Sequence, residues 1–308
     1  MPKIISVCDS DWANASYEYT QAMRNVGLNA TSYKMIPHHF GYEGESEILE
    51  NQFEMEEVIK HADIVQIMHS NIWLLRLCKK LNKKKVYVYH TGTTYRRDPE
   101  KINAAFNPSI IRAFTDQTEF IRTGMKNEYY FTSPINENKF RYSEFKSDKI
   151  TIAHFPSSTE IKGTKTINRI VNSLKKTYDF NYIVDGTHVC HSDQMERMSN
   201  CDIYIELFSP ILNGKQYGCF GVTALEAAAL GKIVVTNHTT AHIYKQFYGC
   251  TTPFVTPITE RDLYLCLEKL LKTPENLLRI KKLETRQWLE KYHSYQATGL
   301  IIKNLLKL

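Results

Sequence analysis

The strongest local signal in the sequence is YGCFGVTALEAAALGKIVV at residues 217–235. In this stretch, Gly218 and Gly221 bracket a short loop that opens directly into a helix-forming run, and a β-branched run follows. A loop, a helix and a strand in this order are typical of α/β domains with parallel sheets. Glycines let the loop backbone approach a ligand closely, and the amino end of the helix offers free N–H groups to an anion. The stretch therefore predicts a phosphate or diphosphate site.

The same alternation of strands and helices extends outward over the whole chain. Short apolar runs predict strands at residues 3–8, 61–68, 85–89, 150–155, 180–184, 202–208, 232–237 and 253–256. Apolar periodicity lapses around residues 134–149, where polar residues accumulate. We expect an α/β protein of two doubly wound, Rossmann-like parallel-sheet domains, at 1–145 and 150–291, that face each other across a ligand cleft. A C-terminal helix at 292–308 is expected to return to the first domain.

The composition excludes several classes of protein. A hydrophobic content of 43% in 308 residues suits folded domains and excludes a disordered chain. The net charge of +6 is too small for a histone-like DNA-binding protein. The sequence has seven cysteines without CxxC spacing, no signal-peptide pattern at its start and no apolar run of transmembrane length. We expect reduced thiols, no metal site, no transmembrane segment and a cytoplasmic location.

Charged residues cluster in two segments of the first domain. Segment 43–57 is rich in glutamate, and segment 76–85 holds the basic residues Arg76, Lys79, Lys80, Lys83, Lys84 and Lys85. The basic segment is either a solvated helix face or a peripheral contact with an anionic surface, such as a membrane or nucleic acid. Residues 1–149 carry 20 basic and 19 acidic side chains, which argues against DNA as the partner of this domain.

The segment HFPSSTEIKG, residues 154–163, is a second candidate for ligand chemistry. Ser157 and Ser158 offer hydroxyl groups directly after a predicted strand. Lys162 precedes a helix that begins at Gly163, and the helix dipole disfavours a purely structural cation at that end. A lysine there supplies the positive charge that a diphosphate leaving group needs. We therefore expect Lys162 to take part in the chemistry.

Glu226 lies one turn into the helix of the opening stretch. A carboxylate at this position can accept hydrogen bonds from the vicinal hydroxyls of a ribose. It can equally complement the dipole of its own helix. The residues alone leave both interpretations open.

Together these segments resemble the GT-B fold glycosyltransferases, and among them the large retaining group known as family four, or glycosyl transferases group 1. The resemblance covers nearly the whole second domain, through Lys162-Gly163, YIVDG at 182–186, the turn at 200–202 and FGVTALEAAALGKIVV at 220–235. It implies a nucleotide-sugar donor such as a UDP- or GDP-hexose, with Lys162 on the diphosphate and Glu226 on the ribose. The implied sugar-donor site comprises Ser157, Ser158, Lys162, Gly218, Cys219, Phe220, Gly221, Val222 and Glu226.

The sequence departs from this family at two places. The family usually has a glutamate eight residues before the ribose-binding one, and here that position is Gly218. An arginine that often assists the lysine is replaced by Ser157 or Ser158. These differences leave the identity of the sugar open, and the first motivates the alternative of a nucleotide-sugar binding module without transfer activity.

The first domain resembles the family less closely. Its first strand leads into Asp9, Asp11 and Trp12, which favour either an acceptor pocket, with Trp12 stacked on a sugar or base, or a polar turn with a packed tryptophan. The strand VYVYH ends at His90, and Arg96 follows it. Because ligands bind at the carboxyl ends of such strands, His90 is a candidate catalytic residue and Arg96 a candidate acceptor or phosphate contact.

The expected activity is transfer of a hexosyl group from a nucleotide diphosphate sugar to a hydroxyl acceptor, a saccharide by preference. The resemblance implies retention. No metal or other cofactor is expected, because Lys162 and the helix N-terminus at 219–222 supply positive charge. The alternatives are the binding module, a nucleotide-sugar epimerase, for which no acidic cluster is found, and a transferase that modifies a DNA nucleobase.

Overall fold

The computed structural model describes residues 1–38, 40–143, 149–212 and 214–308. These residues form two compact units, one of Met1–Asn136 with His293–Leu308 and one of Glu137–Tyr292. The predicted domain end at residue 145 lies outside the described residues. The described residues 137–143 group with the second unit.

The first unit is built on a parallel sheet. Its strands are β1 (Lys3–Ser10), β2 (Asn29–Ile36), β3 (Glu47–Ile48), β4 (Ile64–Met68), β5 (Val86–His90), β6 (Arg112–Thr115) and β7 (Tyr129–Tyr130). They lie in the order β3-β2-β1-β4-β5-β6-β7, which is seven strands within the described part of the chain. The helices are α1 (Ala15–Asn25), α2 (Gln52–Lys60), α3 (Ile72–Lys80), α4 (Gly92–Arg97) and α5 (Pro99–Phe106). The central strands β4 and β5 are buried along their whole length, as expected for a sheet covered on both faces.

The second unit is built on a smaller parallel sheet. Its strands are β8 (Thr151–His154), β9 (Asn181–Val184), β10 (Ile203–Ile205) and β13 (Ile233–Val235), and a short hairpin is formed by β11 (Ile211–Leu212) and β12 (Lys215–Gln216). The order in the sheet is β13-β10-β8-β9. The helices are α6 (Thr164–Leu174), α7 (His191–Ser199), α8 (Val222–Ala229), α9 (Ala241–Tyr248), α10 (Glu260–Lys272) and α11 (Glu275–His293). The predicted α/β architecture with two parallel sheets is confirmed.

The core of the second unit explains why these segments form strands and helices. Buried strand residues such as Ile152, Ile203 and Val235 pack against buried leucines and isoleucines of α6 and α10. The predicted strand at 253–256 is wrong, because only Val255 pairs with the sheet, through a single bridge to Val235. No helix in the described ranges is both long and apolar enough to cross a bilayer.

The C-terminal helix α12 (Tyr295–Leu306) packs against α1 in the first unit. The close approach is made possible by Gly299, where a Cβ atom would lie 2.3 Å from the carbonyl oxygen of Ala22 and 2.9 Å from Val26. The helix begins at Ser294, whose hydroxyl accepts from the N–H of Ala297 at 3.2 Å and caps the first turn. The chain end therefore forms part of the core of the first unit.

We expect Gly299→Ala to destabilise the protein by about 1–3 kcal/mol, the usual cost of overpacking. The direction of the change in unfolding free energy is informative, because alanine in place of glycine normally stabilises a helix by about 1 kcal/mol. Urea unfolding measures the change. Leu300→Ala, at the exposed neighbouring position of the same helix, serves as control and should shift stability by less than about 0.5 kcal/mol. An unchanged or raised unfolding midpoint for Gly299→Ala contradicts the close packing.

Candidate functional site

The turn that carries Lys162 is held against the chain that follows β10. The N–H of Phe208 donates to the carbonyl oxygen of Lys162 at 3.0 Å. The next residue, Gly163, has a φ of 71°, and a Cβ atom here would lie 1.8 Å from the carbonyl oxygen of Phe208. Glycine meets both requirements, because other residues rarely adopt this left-handed conformation and none lacks a Cβ atom. The close backbone approach therefore explains why a glycine follows Lys162.

Lys162 forms a buried ion pair that the sequence did not predict. Its ammonium donates to Oε1 of Glu206 at 2.5 Å, and the exposed fractions of the two side chains are 16% and 0%. Burial by itself lowers the pKa of Lys162, but the Glu206 carboxylate outweighs it and the pKa lies above its usual value. The lysine is therefore charged over the whole physiological pH range.

The same carboxylate reaches the amino end of α8. Its Oε1 accepts from the N–H of Gly221 at 3.3 Å, and its Oε2 accepts from the hydroxyl of Thr236 at 2.6 Å. Gly221 is the residue before α8, and as a glycine it has no side chain with which to cap this helix. A Cβ atom on Gly221 would lie 4.0 Å from the ammonium of Lys162. The ammonium of Lys162 and the positive end of the α8 dipole are therefore close together, next to half-buried Val222. Such a combination is typical of anion-binding sites.

The loop before α8 is held in place by buried side chains. Cys219 and Phe220 are buried, and the Phe220 ring packs edge-on against His238 and Trp288. A Cβ atom at Gly218 would lie 2.8 Å from the backbone nitrogen of Thr239. The position at which the family has a glutamate therefore has no space for a side chain in this protein.

The two serines after β8 lie in the turn that leads to Lys162. Ser157 is exposed, whereas Ser158 is half-buried. The Ser158 hydroxyl accepts from the N–H of Ile161 at 3.4 Å, and its carbonyl accepts from the N–H of Lys162 at 3.0 Å. Ser158 therefore shapes the turn, and Ser157 presents its hydroxyl to solvent.

Glu226 is paired with a histidine that the sequence did not assign to this site. The Nε2 atom of His191 lies 2.6 Å from Oε1 of Glu226, and the exposed fractions of the two side chains are 23% and 7%. His191 is the first residue of α7, and Glu226 lies one turn into α8. The carboxylate is therefore oriented, with its second oxygen left for another partner.

His154 supports this region from within the sheet. Its Nδ1 atom lies 2.7 Å from the carbonyl oxygen of Ile205 and its Nε2 atom 2.9 Å from the hydroxyl of Thr164. A carbonyl only accepts, so Nδ1 carries the proton and Nε2 accepts from the threonine. Burial lowers the pKa of His154 to about 4. The imidazole is therefore neutral and joins β8, β10 and α6.

In the first unit, the loop after β1 separates a structural aspartate from an exposed tryptophan. Asp11 is buried, and its carboxylate accepts from the N–H groups of Ser16 and Tyr17 at 2.7 and 3.0 Å, which caps α1. Asp9 accepts a hydrogen bond from the amide of Asn71. Trp12 is 58% exposed. Trp12 thus presents a large exposed aromatic surface, whereas the Asp11 carboxylate is used within the fold.

Trp12 belongs to an aromatic patch, which we define as Trp12, His38, Phe40 and Tyr42. The Trp12 ring meets His38 edge-on at 5.3 Å, and His38 contacts Phe40 at 4.6 Å and Tyr42 at 5.8 Å. These residues follow the carboxyl ends of the neighbouring strands β1 and β2. The patch therefore lies at the edge of the sheet where ligands of such folds bind.

His90 lies inside the core of the first unit. Its ring is fully buried, stacks on Tyr95 at 4.5 Å, and shares a hydrogen bond of 2.8 Å between Nδ1 and the hydroxyl of Ser70. Burial lowers the pKa of His90 to about 3, so that the imidazole is neutral. The preceding residue of the Ser70 loop, His69, and Ser70 itself both have left-handed backbones, with φ of 58° and 59°. His90 therefore holds a strained loop at the carboxyl end of β4.

Arg96 is held in an ion pair at the carboxyl end of β6. Its guanidinium donates to Glu119 at 3.1 Å and to Gln117, and it lies 5.2 Å from the centre of the Phe120 ring. Burial raises the pKa of the adjacent Asp116 to about 7. Asp116 and Glu119 were not predicted from the sequence as neighbours of Arg96. A run of polar residues directly after a buried strand could have indicated them.

Metal ligands do not cluster in the described residues. Across residues 1–38, 40–143, 149–212 and 214–308, no group of three or more His, Cys, Asp or Glu side chains is arranged to hold a metal ion.

The architecture is the GT-B fold of glycosyltransferases. No protein-family model matches the sequence, and no curated protein sequence matches it either. The structure is similar to HepE of Anabaena, solved with UDP and glucose, with a TM-score of 0.71, 13% identity and coverage of 100% of both chains. It is also similar to an α-glucosyltransferase solved with UDP and a 13-mer DNA containing an HMU base (TM-score 0.69, 14% identity, 99% and 98% coverage). A third similar structure is a glycosyltransferase of Rickettsia africae (TM-score 0.67, 14% identity, 99% and 98% coverage).

We expect His154→Gln to reduce the loss of stability on acidification. The folded-state pKa of His154, about 4, lies below its unfolded value, so the group contributes stability above pH 6.5 that is lost as the pH falls towards 4. Between pH 7.5 and 5, the variant should lose roughly 2 kcal/mol less than the wild type, at about 1.4 kcal/mol per pH unit below 6.5. Urea unfolding at both pH values measures this difference. Thr164→Val removes a hydrogen bond but keeps the imidazole, and should show the wild-type pH dependence.

Proposed function

We propose that this protein is a hexosyltransferase that moves a sugar from a nucleotide diphosphate sugar to a hydroxyl group of a saccharide. The observation that carries the proposal is the charged Lys162 beside the amino end of α8, with Glu206 bound to both. Two positive groups at one point are suited to a diphosphate. Structures with the same fold contain UDP or UDP-glucose, which supports a uridine nucleotide as the first candidate.

In the proposed reaction, the bond between the anomeric carbon and the β-phosphate oxygen breaks, and its electron pair stays on the phosphate. The charge that develops there is stabilised by Lys162 and by the backbone N–H groups of 219–221. The acceptor oxygen forms the new bond to the anomeric carbon, and its proton passes to the departing phosphate. Attack on the same face gives retention. Because protein groups supply the positive charge, this scheme uses no metal.

We assign Glu226 to the ribose of the nucleotide. Its Oε1 is paired with His191 at 2.6 Å, which orients the carboxylate and leaves Oε2 as an acceptor for a hydroxyl group. Its position one turn into α8 follows the residues proposed for the diphosphate. Ser157, exposed in the turn before Lys162, is the proposed further hydroxyl contact to the nucleotide.

For the acceptor, we propose an uncharged sugar ring that lies on the exposed face of Trp12. Aromatic rings offer a flat apolar surface, and Trp12 exposes 58% of its area at the carboxyl edge of the sheet. Buried His90 and Asp11 take the role of positioning residues in this proposal, since their hydrogen bonds hold the loops of this edge. Arg96, tied to Glu119, is proposed to contact the acceptor.

DNA is the less suitable acceptor on electrostatic grounds. The basic segment 76–85 comprises the end of α3 and the loop into β5, which is the amino edge of the sheet. In that segment Lys80 pairs with Glu56 at 2.8 Å, and Lys83 donates to backbone carbonyl groups. The carboxyl edge instead presents the exposed carboxylates of Asp9 and Glu43, which repel phosphates. The basic segment therefore remains a solvated face or an anionic-surface contact away from the proposed acceptor.

We expect Lys162→Ala to lower the turnover number about 10²–10³-fold, as for loss of one group that stabilises a developing oxyanion. Turnover is followed as UDP or GDP release from a panel of UDP- and GDP-hexoses. Lys175→Ala, an exposed lysine at the other end of α6, is the matched control and should keep the wild-type rate.

Lys162→Ala leaves the buried carboxylate of Glu206 without its cation, so folding is checked by circular dichroism. The double variant Lys162→Ala/Glu206→Gln removes both charges and should be as inactive as the single one. A folded single or double variant with a near-normal rate removes Lys162 from the mechanism.

We expect Trp12→Ala to raise the KM of a saccharide acceptor about tenfold, equivalent to ~1.4 kcal/mol of binding, and to leave the KM of the sugar donor unchanged. Free mono- and disaccharides and a 13-mer DNA with an HMU base serve as acceptors. Phe53→Ala removes another exposed ring, on α2, and should change neither constant. Transfer to the DNA but to no saccharide would overturn the proposed acceptor class.

A further inference from the structure

The carboxylate of Glu206 touches the two groups that the proposed function assigns to the diphosphate. Its Oε1 lies 2.5 Å from the ammonium of Lys162 and 3.3 Å from the backbone nitrogen of Gly221. Its Oε2 accepts from the hydroxyl of Thr236 at 2.6 Å, and its backbone N–H donates to the carbonyl of Val235 at 2.9 Å. The side chain has no solvent exposure. Glu206 therefore sits beneath the candidate anion site, bound to the β13 edge on one side and to the anion-binding groups on the other.

Folding alone does not require a charge at this position. Glu206 follows the apolar strand β10, and its neighbours Ile205 and Leu207 are buried. Replacing a buried ion pair by apolar residues is often neutral or stabilising, because both charges lose their hydration on burial. Packing alone therefore does not explain why an acid is present at position 206. Its charge points instead to a role in the charge balance of the site.

The carboxylate acts on any anion that shares its hydrogen-bond donors. Two acceptors on the same N–H or ammonium group each lie about 3 Å from it, so they are separated by no more than roughly 6 Å. At that separation, in the interior of a protein, two negative charges repel each other by more than thermal energy. The repulsion from Glu206 grows in proportion to the charge of the anion, so the carboxylate weakens the binding of a more highly charged anion by a larger amount.

The two nucleotides of the proposed reaction differ in this charge. In the sugar donor the terminal phosphate is esterified by the sugar and carries one negative charge. In the free nucleoside diphosphate that phosphate has a second ionisable oxygen, with a pKa of about 6 as in other phosphate monoesters, and at neutral pH it carries nearly two. The added charge appears after the bond to the sugar has broken, when the phosphate loses to solvent the proton that it took from the acceptor.

We propose that Glu206 is a positioning residue that holds Lys162 and the Gly221 N–H for the diphosphate, and that its negative charge favours release of the nucleoside diphosphate product over the sugar donor. This inference rests on the proposed function. The residue makes no contact with the reacting atoms and acts through the two groups that it binds.

The test compares the affinities of UDP and UDP-glucose in wild type and Glu206→Gln by titration calorimetry at pH 7.5. Glutamine keeps the size and one acceptor oxygen but removes the charge. We expect UDP to bind at least tenfold more tightly in the variant, UDP-glucose to change no more than threefold, and inhibition of transfer by added UDP to strengthen accordingly. At pH 5.5 the terminal phosphate of UDP is mostly protonated, and the preferential effect on UDP should shrink.

Two further variants separate charge from geometry. Thr236→Val removes the bond to Oε2 but keeps the carboxylate, and should change both affinities by the same factor. Glu206→Met, neutral and of similar length, replaces Glu206→Gln as the test variant if the latter does not fold.

The outcomes distinguish the two proposals. A wild type that binds UDP and UDP-glucose, with variants that change both affinities equally at both pH values, leaves the proposed function standing and reduces Glu206 to a structural residue. A wild type that binds neither UDP, GDP nor their hexose conjugates overturns the proposed function, and the role of Glu206 with it.

Discussion

The buried ion pair between Lys162 and Glu206 organises the second unit. The carboxylate joins four segments: the turn before α6, the chain after β10, the amino end of α8 and Thr236 after β13. Since β13, β10 and β8 are neighbours in the sheet, one side chain connects the carboxyl ends of three strands. A charge without solvent contact is tolerated only where its partners are all in place, so the pair requires this whole edge to assemble together. The candidate anion site is a consequence of that requirement.

Two neutral, buried histidines also link neighbouring segments at the ends of strands. His154 and His90 are the last residues of β8 and β5, and both are fully buried. Burial lowers the pKa of each, to about 4 and about 3, and each is bound to a hydroxyl group on a neighbouring segment. A neutral imidazole can link two segments in the interior without the cost of a buried charge. Buried polar residues at the ends of strands therefore stabilise the fold of both units. The exposed groups between them are available to ligands.

Much of the fold was predictable because its signals are local. Long apolar runs such as those of β1 and β4 predict buried parallel strands without reference to the rest of the chain. The edge strands β3 and β7 escaped prediction, since two residues are too few for any periodicity. The run at 253–256 was assigned as a strand on composition, but after Val255 pairs once the chain leaves the sheet. Whether a segment pairs as a strand depends on its neighbour in the sheet, and the composition of the segment carries no information about that neighbour.

The sequence alone was enough for the α/β class and for the glycine-flanked amino end of α8, and it predicted Lys162 as a candidate site residue. Each of these depends on residues that are close in the chain, through periodicity, backbone freedom and the helix dipole. The tertiary structure decided which side chains meet: Glu206 with Lys162 across 44 positions, His191 with Glu226 across 35, and the backbone of Thr239 against Gly218. It also separated Asp11, used up in capping α1, from exposed Trp12 beside it. Contacts between distant segments depend on how the strands are ordered and how closely backbones approach, and that information exists only once the chain is folded.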